Sequence, residues 1–127
     1  MRGKISVILM VSLVVSLCVV ATLAKKEDNT AFARVTITQG KIDKVDELIK
    51  LYAESVIPAA KSQKGYRGIL LLTNRETGKS ISISFWDSEE DAIANEKSGY
   101  YQEQVAKFKD LFTAQPIKEG YEVTVKD

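Results

Sequence analysis

Histidine is absent from the 127-residue chain, and the only cysteine, Cys18, lies in a hydrophobic segment near the N-terminus. These absences exclude zinc sites built from Cys or His and histidine general bases, and beyond residue 24 they exclude thiolate nucleophiles and disulfides. A carboxylate site for a hard metal ion stays open in principle, but the acidic residues have no calcium-loop spacing. We therefore expect neither a bound metal nor a cofactor.

Clustered charge of one sign is also scarce. Of the 18 basic residues, Arg2 and Lys4 precede the hydrophobic segment, which leaves 16 basic against 17 acidic residues in the remainder of the chain. The basic residues are scattered, and the one dense group of charges, residues 87–91, is acidic. Since a nucleic-acid-binding surface needs clustered positive charge, we expect no nucleic-acid partner.

The longest hydrophobic run extends from Ile5 to Ala24 and contains no charged residue. Arg2 and Lys4 before it, and the small residues near its end, are typical of a secretory signal. Its 20 residues are also enough to span a bilayer as a helix. We interpret residues 1–24 as a cleaved signal peptide, with an uncleaved membrane anchor as the open alternative. The expected location is therefore exported (periplasmic or extracellular), or anchored in the membrane through this segment alone.

Residues 25–31 are predicted to form a polar linker, and residues 32–127 a single domain, because about a hundred residues build one hydrophobic core but hardly two. Four segments have the pattern of β-strands: residues 32–39, 66–74, 79–86 and 117–126. Between the second and third strands, residues 75–78 have the composition of a hairpin loop.

Helical spacing of apolar residues predicts one helix from Ile42 onward, which Pro58 should kink or end. A second helical region is predicted to begin after Ser88, whose side chain can cap it, and to be interrupted at Ser98 and Gly99. The resulting order, strand, helix, strand, strand, helix, strand, indicates a ferredoxin-like α+β fold with a four-stranded antiparallel sheet.

Two helices can cover only one face of such a sheet. The second strand is apolar on both faces, with Ile69, Leu70, Leu71 and Leu72 in succession. Because the uncovered face would expose Leu or Ile to water, we expect a homodimer joined face to face through the sheets.

Four motifs carry a resemblance to a known family: residues 35–40 (VTITQG), 56–59 (VIPA), 65–68 (GYRG) and 85–92 (FWDSEEDA). The last is a strand that ends in Trp86 and is followed by an acidic helix cap. Over residues 32–126 the chain resembles the antibiotic biosynthesis monooxygenase (ABM) family of dimeric α+β barrels. The resemblance implies that fold and a homodimer. It implies no single activity, because the family includes cofactor-independent monooxygenases of quinol-like compounds, haem-degrading enzymes and isomerases.

The haem-degrading branch of this family uses an asparagine on the first strand, a tryptophan that ends the third strand, and a histidine iron ligand on the following helix. By position, Trp86 matches the tryptophan, whereas Ala33 falls at the asparagine and Glu96 near the histidine. The resemblance therefore argues against haem degradation by that mechanism.

The resemblance and the aromatic content together imply a pocket between the helices and the sheet. The candidate lining residues are Tyr52, Trp86, Tyr100, Tyr101 and Phe108. Ser82 and Ser84 would leave room for a ligand if they face the same side as Trp86, and Arg67 or Arg34 is the expected partner for an anion. The competing interpretation is that these aromatic residues are ordinary core.

The expected function is an exported ABM-like domain that binds a small apolar or aromatic molecule. Cofactor-independent oxidation of quinol-like substrates is the activity that the resemblance implies, since such chemistry needs only an apolar pocket, a group that removes a phenolic proton, and dipoles that stabilise the substrate anion. The alternative is a non-catalytic small-ligand-binding or stress-associated dimeric module. An interaction domain at a membrane surface is a third interpretation if residues 1–24 are retained.

Overall fold

The computed structural model describes residues 31–127, so the predicted signal or anchor (residues 1–24) and the linker up to residue 30 lie outside the described part. The strands are β1 (Phe32–Gln39), β2 (Tyr66–Thr73), β3 (Lys79–Trp86) and β4 (Ile117–Glu122). The helical segments are a 3-10 turn (Ile42–Lys44), α1 (Val45–Leu51), a π-helical turn (Tyr52–Val56), α2 (Ile57–Lys61), α3 (Glu89–Lys97) and α4 (Tyr100–Ala106). No helix within residues 31–127 is long and apolar enough to cross a membrane.

The four strands form one antiparallel sheet in the order β2-β3-β1-β4. This is the ferredoxin-like α+β fold that the order of elements predicts. Strand β4 is shorter than predicted and ends at Glu122, because Glu122 pairs with Phe32, the first residue of β1. Strand β2 carries an irregularity between Tyr66 and Gly68, next to the end of β3.

Pro58 neither ends the first helix nor leaves it regular. The helix continues to Lys61, and the turn before the proline widens, so that the Ile57 N–H donates to the carbonyl of Tyr52, five residues earlier. A proline has no N–H and its ring clashes with the carbonyl four residues before it. The wider π-helical turn accommodates both effects.

The second helical region begins and breaks where predicted. The Ser88 side chain accepts a hydrogen bond from the Asp91 N–H (3.0 Å) and caps α3. Gly99, at φ +92°, separates α3 from α4. Because only glycine adopts this conformation at little cost, the two helices can take different directions there.

The helices cover the polar face of the sheet. Arg34, Thr36 and Thr38 of β1 line the cavity beneath the helices, and their cross-strand partners on β3 are Ser84, Ser82 and Ser80. The opposite face carries the Val and Ile residues of both strands, together with Leu70 (41% exposed) and Leu72 (51%) of β2. The alternation in the sequence therefore predicts correctly which residues share a face. The apolar face, however, is the one that the helices leave open.

The core beneath the helices is correspondingly small. Its fully packed cluster consists of Leu48, Tyr52, Phe108 and Leu111. Ile69 and Leu71 of β2 are the sheet's apolar contribution to it. Hydroxyl-bearing residues cover the rest of that face, which favours a cavity over a continuous hydrophobic core.

Two glycines with positive φ, Gly78 and Gly99, should differ in how much stability is lost when alanine replaces them. Gly78 has φ +81°, and the Cβ of Gly78→Ala would lie 2.5 Å from the carbonyl oxygen of Gly40. Gly99 has φ +92°, and the Cβ of Gly99→Ala would meet no atom within 4 Å. We expect Gly99→Ala to lower the free energy of unfolding by about 1 kcal/mol and Gly78→Ala by about 3 kcal/mol or more, since a steric clash adds to the backbone strain. Urea denaturation of both variants measures this, and equal losses would contradict the steric argument.

Candidate functional site

A cavity of ≈ 70 Å³ lies between the sheet and the helices. Its apolar walls come from both helical regions and from β2: Leu48, Val56, Ile69, Leu71, Val105, Phe108 and Phe112. Its polar residues are Arg34, Thr36, Thr38, Tyr52, Ser82, Ser84, Tyr100, Tyr101 and Gln104. An apolar enclosure with a few convergent polar groups is the usual composition of a small-molecule site.

Two hydroxyl pairs form the floor of the cavity. Thr36 and Ser82 are cross-strand partners on β1 and β3, so their side chains lie next to each other. The Tyr101 hydroxyl is 3.2 Å from Thr36 Oγ1, and the Tyr52 hydroxyl is 2.6 Å from Ser82 Oγ. One phenol from each helical region is thus hydrogen-bonded to one hydroxyl of the sheet.

Arg34 is the charged side chain among the lining residues, and it is only 3% exposed. It donates from Nε to Glu96 Oε1 (2.9 Å) and from Nη2 to Asn95 Oδ1 (2.9 Å) and the Ala92 carbonyl (2.6 Å). These acceptors are at i, i+3 and i+4 on α3, so they lie on one face of that helix. Asn95 is itself oriented by its donation to the Asp91 carbonyl (3.0 Å).

Two aromatic rings flank the guanidinium. Its central carbon lies 5.4 Å from the Trp86 ring centroid and 5.1 Å from that of Tyr101, both within cation–π range. Lys118 of β4 lies over the same Tyr101 ring and also donates to Glu96 Oε2 (2.7 Å). Glu96 is therefore shared between two cations.

Two phenols of the cavity, those of Tyr52 and Tyr100, stay protonated at neutral pH. Burial raises the pKa of Tyr52 to about 12, although the hydrogen bond with Ser82 opposes this shift. Burial also raises the pKa of Tyr100, against the opposing charge of Arg34. No carboxylate lines the cavity among the described residues, and the chain contains no histidine. The lining therefore supplies hydrogen-bond donors and one cation, but no general base that is ionised near neutral pH.

A polar bridge connects the helices beside the cavity. Ser55 of the π-helical turn donates to Gln104 Oε1 of α4 (2.8 Å) and accepts from Lys107 Nζ (2.7 Å). Gln104 is also one of the lining residues. Hydrogen bonds between partly exposed groups contribute little net stability, so this bridge can open at low cost.

The structure brings most of the predicted site residues together. Tyr52, Ser82, Ser84, Tyr100, Tyr101 and Phe108 all line the cavity. Trp86 is fully buried (0% exposed) behind the lining, where it donates from Nε1 to Ser84 Oγ (2.9 Å). Of the two predicted anion partners, Arg34 lines the cavity, whereas Arg67 pairs with Asp87 at a partly exposed position outside the lining.

Thr36, Gln104 and the α3 partners of Arg34 were not among the predicted site residues. Thr36 could have been found from the alternation of β1, which places it on the same face as Arg34. The acceptors on α3 could not, because their role depends on where that helix crosses the sheet.

The residues of this chain do not fit the haem arrangement of the family. Ala33 pairs with Phe85 and Tyr121 on the face opposite the cavity, and Glu96 is already bound by Arg34 and Lys118. Within the described part of the chain, no group of three or more Cys, Asp or Glu residues could hold a metal ion.

A family model described as antibiotic biosynthesis monooxygenase matches residues 30–107. An uncharacterized protein of Mycobacterium tuberculosis strain H37Rv is 29% identical over 102 residues, which cover 77% of this chain and 43% of that protein. The same values hold for its counterpart in strain CDC 1551. The chain thus spans less than half the length of these curated relatives.

Solved structures share the fold at low sequence identity. A monooxygenase from the gene ActVA-Orf6 of Streptomyces coelicolor, in complex with the ligand Nanaomycin D, has a TM-score of 0.68 at 13% identity, covering 78% of this chain and 92% of its own. A protein of unknown function from Nitrosomonas europaea has a TM-score of 0.67 at 16% identity (79% and 95% covered). SnoaB, a cofactor-independent oxygenase from Streptomyces nogalater, has a TM-score of 0.64 at 11% identity (76% and 96%).

The raised pKa of Tyr52 predicts a loss of stability in alkali. Because the folded state keeps this proton up to about pH 12 while the unfolded state releases it near 10.0, the contribution is complete below pH 10 and disappears as pH rises through 12. We expect the free energy of unfolding of the wild type to fall, relative to Tyr52→Phe, by about 2 to 3 kcal/mol across this range. Urea denaturation at several pH values measures the difference, and parallel curves for the two proteins would refute the predicted shift.

Proposed function

Because the chain belongs to the antibiotic biosynthesis monooxygenase family, we propose that its domain binds a small aromatic molecule in the cavity beneath the helices and oxidises it with molecular oxygen, without a cofactor. The observation that carries this proposal is the composition of the lining, in which apolar walls surround one buried cation and two hydroxyl pairs. Such a site can enclose an aromatic ring system and place hydrogen-bond donors at one end of it.

The proposed reaction converts an activated CH₂ group between aromatic rings into a carbonyl. The substrate first loses a proton to become a resonance-stabilised anion, which passes electrons to oxygen. One oxygen atom ends in the new carbonyl group, and the other leaves with both hydrogens as water. Oxygen is the oxidant and the substrate supplies all the electrons, so the balance needs no further reductant.

The role of the protein in this reaction is to stabilise the anion. Arg34, buried under Tyr101 and Trp86, provides a positive charge in a region of low dielectric constant, where it acts more strongly than in water. The protonated phenol of Tyr52 can donate to a substrate oxygen, and the Tyr101 hydroxyl lies beside Thr36 on the same floor of the cavity. Since the lining within residues 31–127 has no general base, the proton goes to water or hydroxide, and only substrates that ionise readily should react.

A ligand requires the cavity to widen. Its ≈ 70 Å³ is about half of the ~150 Å³ of a protein cavity that holds benzene. Separation of α4 from the π-helical turn would provide the space, and the hydrogen bonds between these two elements that it would break are those of Ser55 with Gln104 and Lys107. A Cβ added at Gly99 would meet no atom within 4 Å, so the backbone at the start of α4 has room for such a movement.

Two of the structural neighbours are consistent with this proposal. One is a monooxygenase in complex with Nanaomycin D, and another is a cofactor-independent oxygenase. Their low identity supports the shared fold alone, so the substrate of this chain is argued from its own cavity.

A non-catalytic ligand-binding or stress-associated module is the second candidate function. The absence of a carboxylate from the lining, within residues 31–127, favours it, because binding needs no proton acceptor. We further propose that either activity takes place outside the cytoplasm, or at the membrane surface, on the basis of the hydrophobic run in residues 1–24.

We also propose that the domain forms a homodimer through the open face of the sheet. This face carries the Val and Ile side chains of β1 and β3, and Leu70 and Leu72 of β2 are 41% and 51% exposed. A second copy presents the same apolar face, so the surface is complementary to itself around a two-fold axis.

Blocking the cavity tests the proposed function. Val105 of α4 lines the cavity, and its neighbour Ala106 is exposed on the same helix. Because a larger side chain would fill the space, we expect Val105→Phe to weaken binding of 1,8-dihydroxyanthrone at least about tenfold and to reduce oxygen uptake with this substrate in proportion. The quenching of Trp86, the only tryptophan, and an oxygen electrode provide the two measurements.

Ala106→Phe is the matched control and should behave as the wild type. Oxygen uptake that survives Val105→Phe would remove the cavity as the site. Binding without any oxygen uptake by the wild type would favour the non-catalytic module.

Charge on the open sheet face tests the proposed dimer. We expect Leu72→Glu to convert a dimer into a monomer, because two carboxylates would be buried without partners on association. Arg75→Glu, at an exposed residue of the adjacent loop, is the control and should leave the dimer intact. Native mass spectrometry measures the assembly, and a monomeric wild-type protein at micromolar concentration would disprove the dimer.

A further inference from the structure

Three of the five N–H groups of Arg34 have acceptors within the described residues. Nε and both N–H groups of Nη2 are used by Glu96, Asn95 and the Ala92 carbonyl on α3. The two N–H groups of Nη1 have no acceptor among residues 31–127, although the side chain is 4% exposed and lines the cavity. A buried donor without a partner is costly, so an acceptor from a ligand or from water belongs at this position.

The charges around Arg34 do not cancel. Glu96 is its acidic partner, but Glu96 is also bound by Lys118, so the group of three keeps one positive charge in excess. The other titratable groups that face this region are the phenols of Tyr52, Tyr100 and Tyr101, and no carboxylate is among the described lining residues. The cavity end at Arg34 is therefore electropositive.

We propose that the ligand of this cavity carries an oxygen anion, a phenolate or a carboxylate, on its aromatic ring, and that this oxygen binds Arg34 Nη1. The proposal rests on the proposed function and narrows it to a substrate class. Glu96 is a positioning residue, because it holds the guanidinium on α3 and partly offsets its charge. The same geometry disfavours cationic aromatic molecules, which would meet an unpaired like charge in a region of low dielectric constant.

A pair of probes of similar shape tests the inference. 4-Nitrophenol ionises near neutral pH and its anion absorbs visible light, whereas nitrobenzene has no ionisable group. Both are titrated into the wild-type protein at a pH where nitrophenol is ionised. We expect nitrophenolate to bind at least about tenfold more tightly than nitrobenzene, since a charge-assisted hydrogen bond forms only with the anion. The bound nitrophenol should also ionise at a lower pH than in free solution.

Variants separate a binding role of Arg34 from a structural one. Arg34→Met should abolish the preference for the anion, while Arg67→Met, an arginine outside the lining, should retain it. Because Arg34→Met removes buried hydrogen bonds and can unfold the domain, Glu96→Gln provides the second test. The glutamine keeps an acceptor oxygen for Arg34 Nε and removes the offsetting charge, so the affinity for nitrophenolate should rise about threefold or more, with nitrobenzene unchanged.

The outcomes distinguish failure of the proposed function from failure of the proposed anion site at Arg34. If neither probe binds, both the proposed function and this inference fail. If nitrobenzene binds as tightly as nitrophenolate, only the inference fails. If Glu96→Gln leaves the affinity for the anion unchanged or lowers it, the excess charge at Arg34 does not act on the ligand and the inference is overturned.

Discussion

The buried guanidinium of Arg34 is the constraint on which the site depends. A charge that is removed from water must recover its lost hydration from protein groups, and Arg34 does so through three acceptors on α3. The removal of one partner from a buried pair of this kind typically costs about 3 to 5 kcal/mol. Arg34 therefore contributes strongly to the position of α3 over β1. Through Glu96 the same contact extends to Lys118 on β4, so the edge strand is held as well.

This constraint also explains why the helices cover the polar face of the sheet. Arg34, Thr36 and Thr38 point in the same direction along β1. Arg34 is bound by acceptors on α3 and Thr36 contacts Tyr101 of α4, so both helices lie over the face that these three residues share. The result is a cavity with hydroxyl groups on its floor, where a sheet with its other face covered would have packed Val and Ile into a continuous core. The domain therefore has a smaller hydrophobic core and a cavity beneath its helices, which is the ligand site that we propose. The apolar surface that remains outside is what the proposed dimer would bury.

Pro58 contributes to the same site from the other side. Its incompatibility with a regular helix is relieved by the π-helical turn, and that turn contains both Tyr52, above Ser82, and Ser55, which bridges to α4. A local backbone irregularity thus coincides with the wall and with the edge of the cavity, as is frequent for π-helical turns at functional sites. The chemistry that this wall supplies is donation from a neutral phenol, because burial keeps Tyr52 protonated.

The sequence by itself determined the strands and helices and the residues at which the helices begin and break. The alternation in β1 and β3, the cap at Ser88 and the break at Gly99 are local, so each could be predicted from neighbouring residues. The tyrosines and serines of the site were also predicted, with a resemblance to a known family as the guide. Three features were decided only by the tertiary structure.

One is the face of the sheet that the helices cover, since alternation defines two faces without saying which is inside. Another is the choice between Arg34 and Arg67, because Arg34 lies beneath α3 and lines the cavity, whereas Arg67 pairs with Asp87 at a partly exposed position. The third is the position of Trp86 behind the lining, where Ser84 and Tyr66 enclose it. All three depend on contacts between residues far apart in the chain, and the energy of such contacts is set by packing and burial, which no local pattern of residues encodes.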